Sequence, residues 1–316
     1  MTTKQLVFFP TYNEAGNVAL MLARISQAAP KADILIIDDN SPDGTPEILA
    51  SCKRDRDNFK YLVRPRKLGI GTAHLLAWRY ALHHDYDTLV TTDGDHTHDP
   101  AEIPMLLQKL NDTNDFVIGS RYIEGGHSDN AWYRRWLSQT ANAAIRQLLQ
   151  IKFGEFTTSF RAIRVNRLRE LDFAKLLVSG YSFFFLAMVH AHTRGLRIAE
   201  VPIHVHNRAM GSSKLTPLEV FRSMRDLVWL TINHHLIKAT NVVDDERESC
   251  PACDCGYSRM MLHVSTNSKM KSRGRRLTEY CLFCGERKFT IGSKLLHAPR
   301  SSHLYVDGDV RGDPTS

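Results

Sequence analysis

The sequence predicts an α/β protein built on a largely parallel sheet, with a small cysteine-rich appendage at its carboxyl end. Three observations carry this. Short, nearly continuous apolar runs alternate with amphipathic stretches from residue 1 to about 165, polar clusters rich in acidic residues follow those runs, and five of the six cysteines fall after residue 249. Continuous Val, Ile and Leu runs are how strands buried on both faces read, and helices between them imply right-handed crossovers.

In chain order, the run Leu6 to Phe9 is read as a strand and Glu14 to Ala29 as a helix, followed by Ile34 to Ile37 and Pro46 to Arg54, then Lys60 to Val63 and Gly71 to His84. The alternation continues through Thr88 to Thr92, Ala101 to Leu110 and Phe116 to Ile118. The loops after the first, second and fourth strands carry Thr11-Tyr12-Asn13-Glu14, Asp38 to Thr45, and Asp93-Gly94-Asp95. In an open parallel sheet ligands bind beyond the carboxyl ends of the strands, so these acidic loops are expected on one edge.

After Val205 the composition changes. Thr216 to Lys238 reads as a helix with Thr216 as N-cap and Pro217 at its first position. It suits either packing on the main domain or lying in a membrane interface, with Phe221, Met224, Val228 and Trp229 inward and Arg222 and Arg225 near headgroups. Asp244, Asp245, Glu246 and Glu248 form an acidic hinge, which places the domain boundary near residue 243: residues 1–243 form the α/β domain and 244–316 the appendage.

With 316 residues, 43% hydrophobic and 24% charged, the chain has the proportions of a folded globular protein, which excludes disordered, collagenous and coiled-coil classes. A formal charge of +7 permits anionic partners such as nucleotides, phospholipid surfaces or nucleic acid and selects none of them. The amino terminus lacks the apolar region of an export signal. The uncharged stretch Leu176 to Thr193 is interrupted by Ser179, Gly180, Ser182, His190 and His192, and it falls short of the roughly 20 apolar residues of a spanning helix. A cytoplasmic protein is expected.

Asp93-Gly94-Asp95 presents two carboxylates two residues apart, able to offer oxygen to one hard divalent ion that bridges the phosphates of a nucleoside diphosphate. Alone, a D-x-D is common by chance. Its context is not: Pro10-Thr11-Tyr12-Asn13-Glu14, Asp38-Asp39-Asn40-Ser41-Pro42-Asp43-Gly44-Thr45, Lys67 to Ala73, Asp93-Gly94-Asp95 and Gly119-Ser120-Arg121-Tyr122 stand in an order and spacing that resemble family 2 glycosyltransferases of the GT-A fold. The resemblance is greatest to dolichol- or polyprenyl-phosphate mannose synthases. It extends through Ser159-Phe160-Arg161, Gly180-Tyr181-Ser182-Phe183, Glu200-Val201-Pro202-Ile203, Asn207-Arg208 and Gly211 to Lys214, covering roughly residues 4 to 235.

The resemblance implies roles. Pro10, Tyr12, Glu14 and Asp39 would form the nucleoside pocket, Asp93 and Asp95 with His98 nearby the Mg²⁺ or Mn²⁺ site, and Arg121, Arg208, Lys214 and either Arg134 or Arg135 the cations around donor diphosphate and acceptor phosphate. Asp95, Arg121 and Arg208 are the expected catalytic residues. The reaction implied is metal-dependent, inverting transfer of a hexose, with mannose from GDP-mannose as the leading case, to a polyprenyl or dolichyl phosphate, hence at a membrane surface. Phe184-Phe185-Leu186 depart from the Gln and Glu usual in the family, and Thr158 from a frequent Gly, leaving the sugar and acceptor open. The alternatives are a family 2 transferase with another nucleotide sugar or a saccharide acceptor, and a non-catalytic nucleotide-sugar-binding or zinc-ribbon adaptor.

His83-His84 and His234-His235 are adjacent pairs that point apart on a helix, whereas His204 and His206 alternate and share a face on a strand; all are read as surface or packed histidines. Cys250-Pro251-Ala252-Cys253 and Cys281-Leu282-Phe283-Cys284 are two CxxC knuckles separated by 27 residues, suited to structural Zn²⁺ in a zinc-ribbon-like tail, with Cys255 able to replace Cys253. Between them Arg259 to Arg276 holds six basic residues, no acidic one and no aromatic one. Such a loop fits an anionic partner or plain solvation; nucleic acid is not expected, since nothing there stacks on bases.

Overall fold

A computed structural model describes residues 3–55, 58–110, 113–129, 153–173 and 180–208, scattered positions from 138 to 151, residues 176 and 283, and the backbone of four strands between 261 and 296. The expected alternation is present: β1 (Gln5–Thr11), α1 (Val18–Ala28), β2 (Asp33–Asp38), α2 (Thr45–Asp55), β3 (Phe59–Val63), α3 (Ile70–His83), β4 (Thr88–Thr91), α4 (Ile103–Lys109) and β5 (Phe116–Ser120). It continues with β6 (His127–Ser128), β7 (Arg161–Arg164), α5 (Ser182–Thr193), β8 (Ile198–Pro202) and β9 (His204–Val205). Two helices are shorter than the sequence pattern suggests. Glu14 to Asn17 form a turn whose Glu14 carbonyl accepts from Asn17 and Val18, so α1 starts later. Pro104 has no N–H to offer the Pro100 carbonyl, which takes Ile103 instead, and Pro100–Glu102 winds as a 3₁₀ turn ahead of α4.

The main sheet runs β3-β2-β1-β4-β7-β5-β8. All neighbours pair parallel except β7, which is antiparallel to both β4 and β5. The order reverses between β1 and β4, and the carboxyl ends of both strands open there. Because β7 runs the other way, the residues preceding it arrive at the edge where the parallel strands end.

Side-chain alternation along the strands sorts the core into two layers. Leu6 and Phe8 of β1 join α3 and α5 on one face, and Val7 and Phe9 join α1 and α4 on the other. The uncharged run seen in the sequence becomes α5, buried on nearly all sides. No helix among the described residues is long and apolar enough to cross a membrane.

Asp115 ties β5 to β8. Its Oδ2 accepts from Arg197 N and Nε, both at 3.0 Å, and its Oδ1 from Arg197 Nη2 at 2.9 Å. These bonds outweigh burial and hold the carboxyl down to about 2. A folded pKa below the unfolded one stabilises the protein above about pH 4, and that stabilisation is lost as pH falls toward 2. In urea titrations over that acid range, stability should therefore fall more steeply for the native chain than for Asp115→Asn; parallel profiles would refute the assignment.

In the tail, β10 (Met261–Thr266), β11 (Arg276–Cys281), β12 (Arg287–Ile291) and β13 (Lys294–Leu296) pair antiparallel in sequence order. Cys281 is the last residue of β11. Phe283, inside the second knuckle, is fully buried in the same apolar layer as α3 and α5. Cys250, Cys253 and Cys284, the Thr216 to Lys238 segment and the acidic hinge lie outside the described residues.

Candidate active site

The loops at the switch point enclose an open cleft of about 280 Å³. Pro10, Tyr12 and Glu14 reach it from β1, Asp39 from β2, Asp93, Asp95 and His98 from β4, Arg121 from β5 and Arg208 from the segment after β9. Nine of the residues expected at the site thus line one cleft. Arg134, Arg135 and Lys214 lie outside the described residues.

Local chemistry sets each loop. Asn13, Asn40 and His96 adopt left-handed backbone, with φ of 57°, 60° and 61°, which asparagine tolerates better than most residues and which turns each loop sharply off its strand. Asp38 is buried and accepts from the Thr11 hydroxyl at 2.7 Å and from the Ser41 backbone at 2.8 Å, binding the β1 and β2 loops together. Asp39 pairs with the fully buried Arg64, and its Oδ2 accepts from Gly69 N at 2.8 Å. Gly69 has φ of 92°, so the helix-opening loop that Asp39 holds needs glycine there. Gly94 is needed for a different reason: a Cβ would stand 3.0 Å from the Pro10 carbonyl oxygen.

Every carboxylate lining the cleft is engaged. Glu14 accepts from the Asn17 amide at 2.7 Å. Asp93 sits 3.4 Å from His98 Nε2. Burial pushes its carboxyl up, and its own contacts with His98 and with the Ser159 hydroxyl outweigh this and hold it below its ordinary value. Asp95 Oδ1 accepts from Thr97 N at 3.1 Å and Oγ1 at 2.7 Å, while its Oδ2 meets Arg208 Nε at 2.7 Å. The two carboxylates are hard oxygen donors suited to Mg²⁺ or Mn²⁺.

Sequence reasoning did not assign roles to several lining residues. Lys67 Nζ lies 3.8 Å over the Tyr12 ring. Thr157, Thr158 and Ser159 enter the cleft just before the antiparallel β7, and the Tyr181 and Phe184 rings also line it. Behind them, buried Glu155 accepts from Arg121 Nε at 3.0 Å, and Glu200 accepts from the backbone of Gly154 and Glu155 at 3.0 and 3.2 Å. Arg161, 1% exposed, donates to the Thr158 carbonyl at 2.7 Å and to those of Phe156 and Phe184 at 2.9 Å. His74 is packed among Phe8, Phe183 and Phe184, and burial lowers its pKa to about 3, so it is a neutral core residue.

Residues 6–172 match the family described as Glycosyl transferase family 2. The chain is 35% identical over 244 residues to the polyprenol monophosphomannose synthase of Mycolicibacterium smegmatis, covering 77% of this chain and 92% of that one. It is also 35% identical over 213 residues to the undecaprenyl-phosphate mannosyltransferase of Micrococcus luteus, covering 67% and 87%. Among solved structures it resembles glucosyl-3-phosphoglycerate synthase from Mycobacterium tuberculosis in complex with Mn²⁺, UDP-glucose and phosphoglyceric acid, with a TM-score of 0.54, 20% identity and 76% and 81% of the two chains covered. At that identity the likeness concerns the GT-A fold.

Proposed function

Because the chain belongs to glycosyl transferase family 2, we propose that it moves mannose from GDP-mannose to a polyprenyl or dolichyl phosphate by metal-dependent, inverting displacement. The observation that carries this reading is the make-up of the cleft. The proline, aromatic and carboxylate surfaces of Pro10, Tyr12, Glu14 and Asp39, suited to a nucleoside, line it together with Asp93, Asp95, Arg121 and Arg208. The two relatives named for mannose transfer to polyprenyl phosphates support the same substrates.

Asp93 and Asp95, with His98 beside them, would hold Mg²⁺ or Mn²⁺, which when bound supplies positive charge to the departing diphosphate. Arg121, held by Glu155, and Arg208, held by Asp95, keep guanidinium groups at the cleft to face phosphate oxygens. The acceptor phosphate is already ionised near neutrality and attacks the anomeric carbon without a base. This agrees with the engagement of each lining carboxylate by another group. Arg134 or Arg135 and Lys214 complete the acceptor side. Catalysis is positioning and electrostatics.

The rest of the chain fits the same picture. A lipid-linked acceptor implies contact with a membrane as a peripheral enzyme, and the basic residues between Arg259 and Arg276 suit an anionic partner such as lipid headgroups. Cys250, Cys253, Cys281 and Cys284 bind one structural Zn²⁺ in the unit beyond residue 243, which is docked on the catalytic unit through Phe283.

Purified protein incubated with a panel of labelled nucleotide sugars, polyprenyl phosphate and Mn²⁺ should label the lipid from GDP-mannose. Chelation with EDTA should stop transfer, and Mg²⁺ or Mn²⁺ should restore it. Transfer only from another donor, or only to a free saccharide, would overturn the substrate assignment.

A further inference from the structure

A second set of metal-ligating side chains lies outside the cleft, on the ribbon formed by β6 and β9. The two strands pair in parallel with His127 opposite His204, and Asp129 N donates to the Val205 carbonyl at 2.9 Å. That pairing brings three side chains to one point. His204 Nε2 lies 2.7 Å and His127 Nε2 3.5 Å from Asp129 Oδ1, and the rings of His127 and His204 stand edge to face at 4.7 Å. One ligand atom from each of the three lies within 4.8 Å of the others. His206, whose ring centroid lies 4.0 Å from that of His204, approaches Asp129 Oδ2 with its Nδ1 at 3.3 Å. Among the described residues Asp129 has no lysine or arginine partner, so its charge faces imidazoles alone.

We propose that His127, Asp129 and His204 form a site for a divalent transition-metal ion of the Zn²⁺ type, separate from Asp93 and Asp95. Two imidazoles and a carboxylate suit Zn²⁺, Co²⁺ or Ni²⁺, whereas Mg²⁺ and Mn²⁺ favour all-oxygen donors. Three protein ligands leave a fourth position for water, and His206 orients the carboxylate from its second oxygen as an outer partner does in such sites. The location gives the ion a structural consequence. β9 continues into His206, whose N–H donates to the Thr97 carbonyl at 2.9 Å, and then into Arg208 at Asp95. An ion on the ribbon would fasten the strand that delivers Arg208 to the segment entering residue 130.

The test is a Co²⁺ titration of the full-length, reduced, metal-free protein with Mg²⁺ in excess. Thiolate-bound cobalt, from the tail cysteines, carries a near-ultraviolet charge-transfer band; the ribbon site should add visible cobalt bands without one. His127→Ala/His204→Ala should lose that component, Asp129→Asn should weaken it at least about tenfold, and Zn²⁺ should displace it. Melting temperature in chelator reports the fold, and His127→Ala alone, at a side chain 60% exposed, serves if the double variant melts early. A native spectrum containing only cobalt-thiolate bands, or a thiolate-free component kept at native affinity in these variants, would overturn the proposal.

Discussion

Asp95→Asn is expected to lower sugar transfer by at least about a thousandfold while leaving the fold in place. Asp95 is buried, and its two oxygens do different things: Oδ1 closes the turn onto Thr97, and Oδ2 meets Arg208 at 2.7 Å. An amide keeps the shape and the Thr97 acceptor. It removes the charge that a divalent ion needs and turns a donor or a neutral oxygen toward Arg208. The lost Arg208 pair should shift the melting temperature by only about 2–4 °C, since a part-exposed pair contributes roughly 1 kcal/mol or less. A transfer assay at saturating Mn²⁺ beside a thermal melt separates the two effects. Near-native turnover would remove Asp95 from the chemistry.

The largest stability effect should come from Arg161→Met. The guanidinium is buried and donates to three carbonyls, those of Phe156, Thr158 and Phe184, and its charge lies 5.1 Å from the Phe184 ring centroid. Burial lowers its pKa to about 9, which still leaves it protonated at neutral pH. Methionine matches the length and leaves all three carbonyls without that donor, a cost of about 3–5 kcal/mol, or a melting temperature lower by roughly 10 °C. Arg161→Lys should recover only part, because one ammonium does not reproduce the planar fork. Donor binding should also weaken, since Thr158 and Phe184 line the cleft. Urea unfolding within about 1 kcal/mol of native would show that the clamp is not structural.

Strands β1 to β5 were legible because each carries an apolar run and a polar loop follows, so β1, β2 and β4 announced both the sheet and the edge where the cleft lies; β8, parallel to β5 but interrupted by Glu200, was not read as a strand. Nor was β7. Arg161 and Arg164 close both of its ends, so Arg161–Arg164 does not read as a buried strand, and its reversed direction is what brings Thr157, Thr158 and Ser159 into the site. The motif residues were visible, but their partners were not. Arg64 under Asp39, and Glu155 under Arg121, are pairings made by topology between charged residues that composition assigns to the surface. His204 and His206 could be seen to share a face, yet Asp129 reaches them across 75 and 77 residues only through the β6–β9 pairing.

A direct displacement by the lipid phosphate fixes the product. Proton NMR of the lipid-linked sugar made from an α-linked GDP-mannose donor should show the β-mannosyl phosphate, the inverted anomer that a single attack across this cleft requires. An α-linked product, or no sugar on the lipid phosphate at all, would contradict the account.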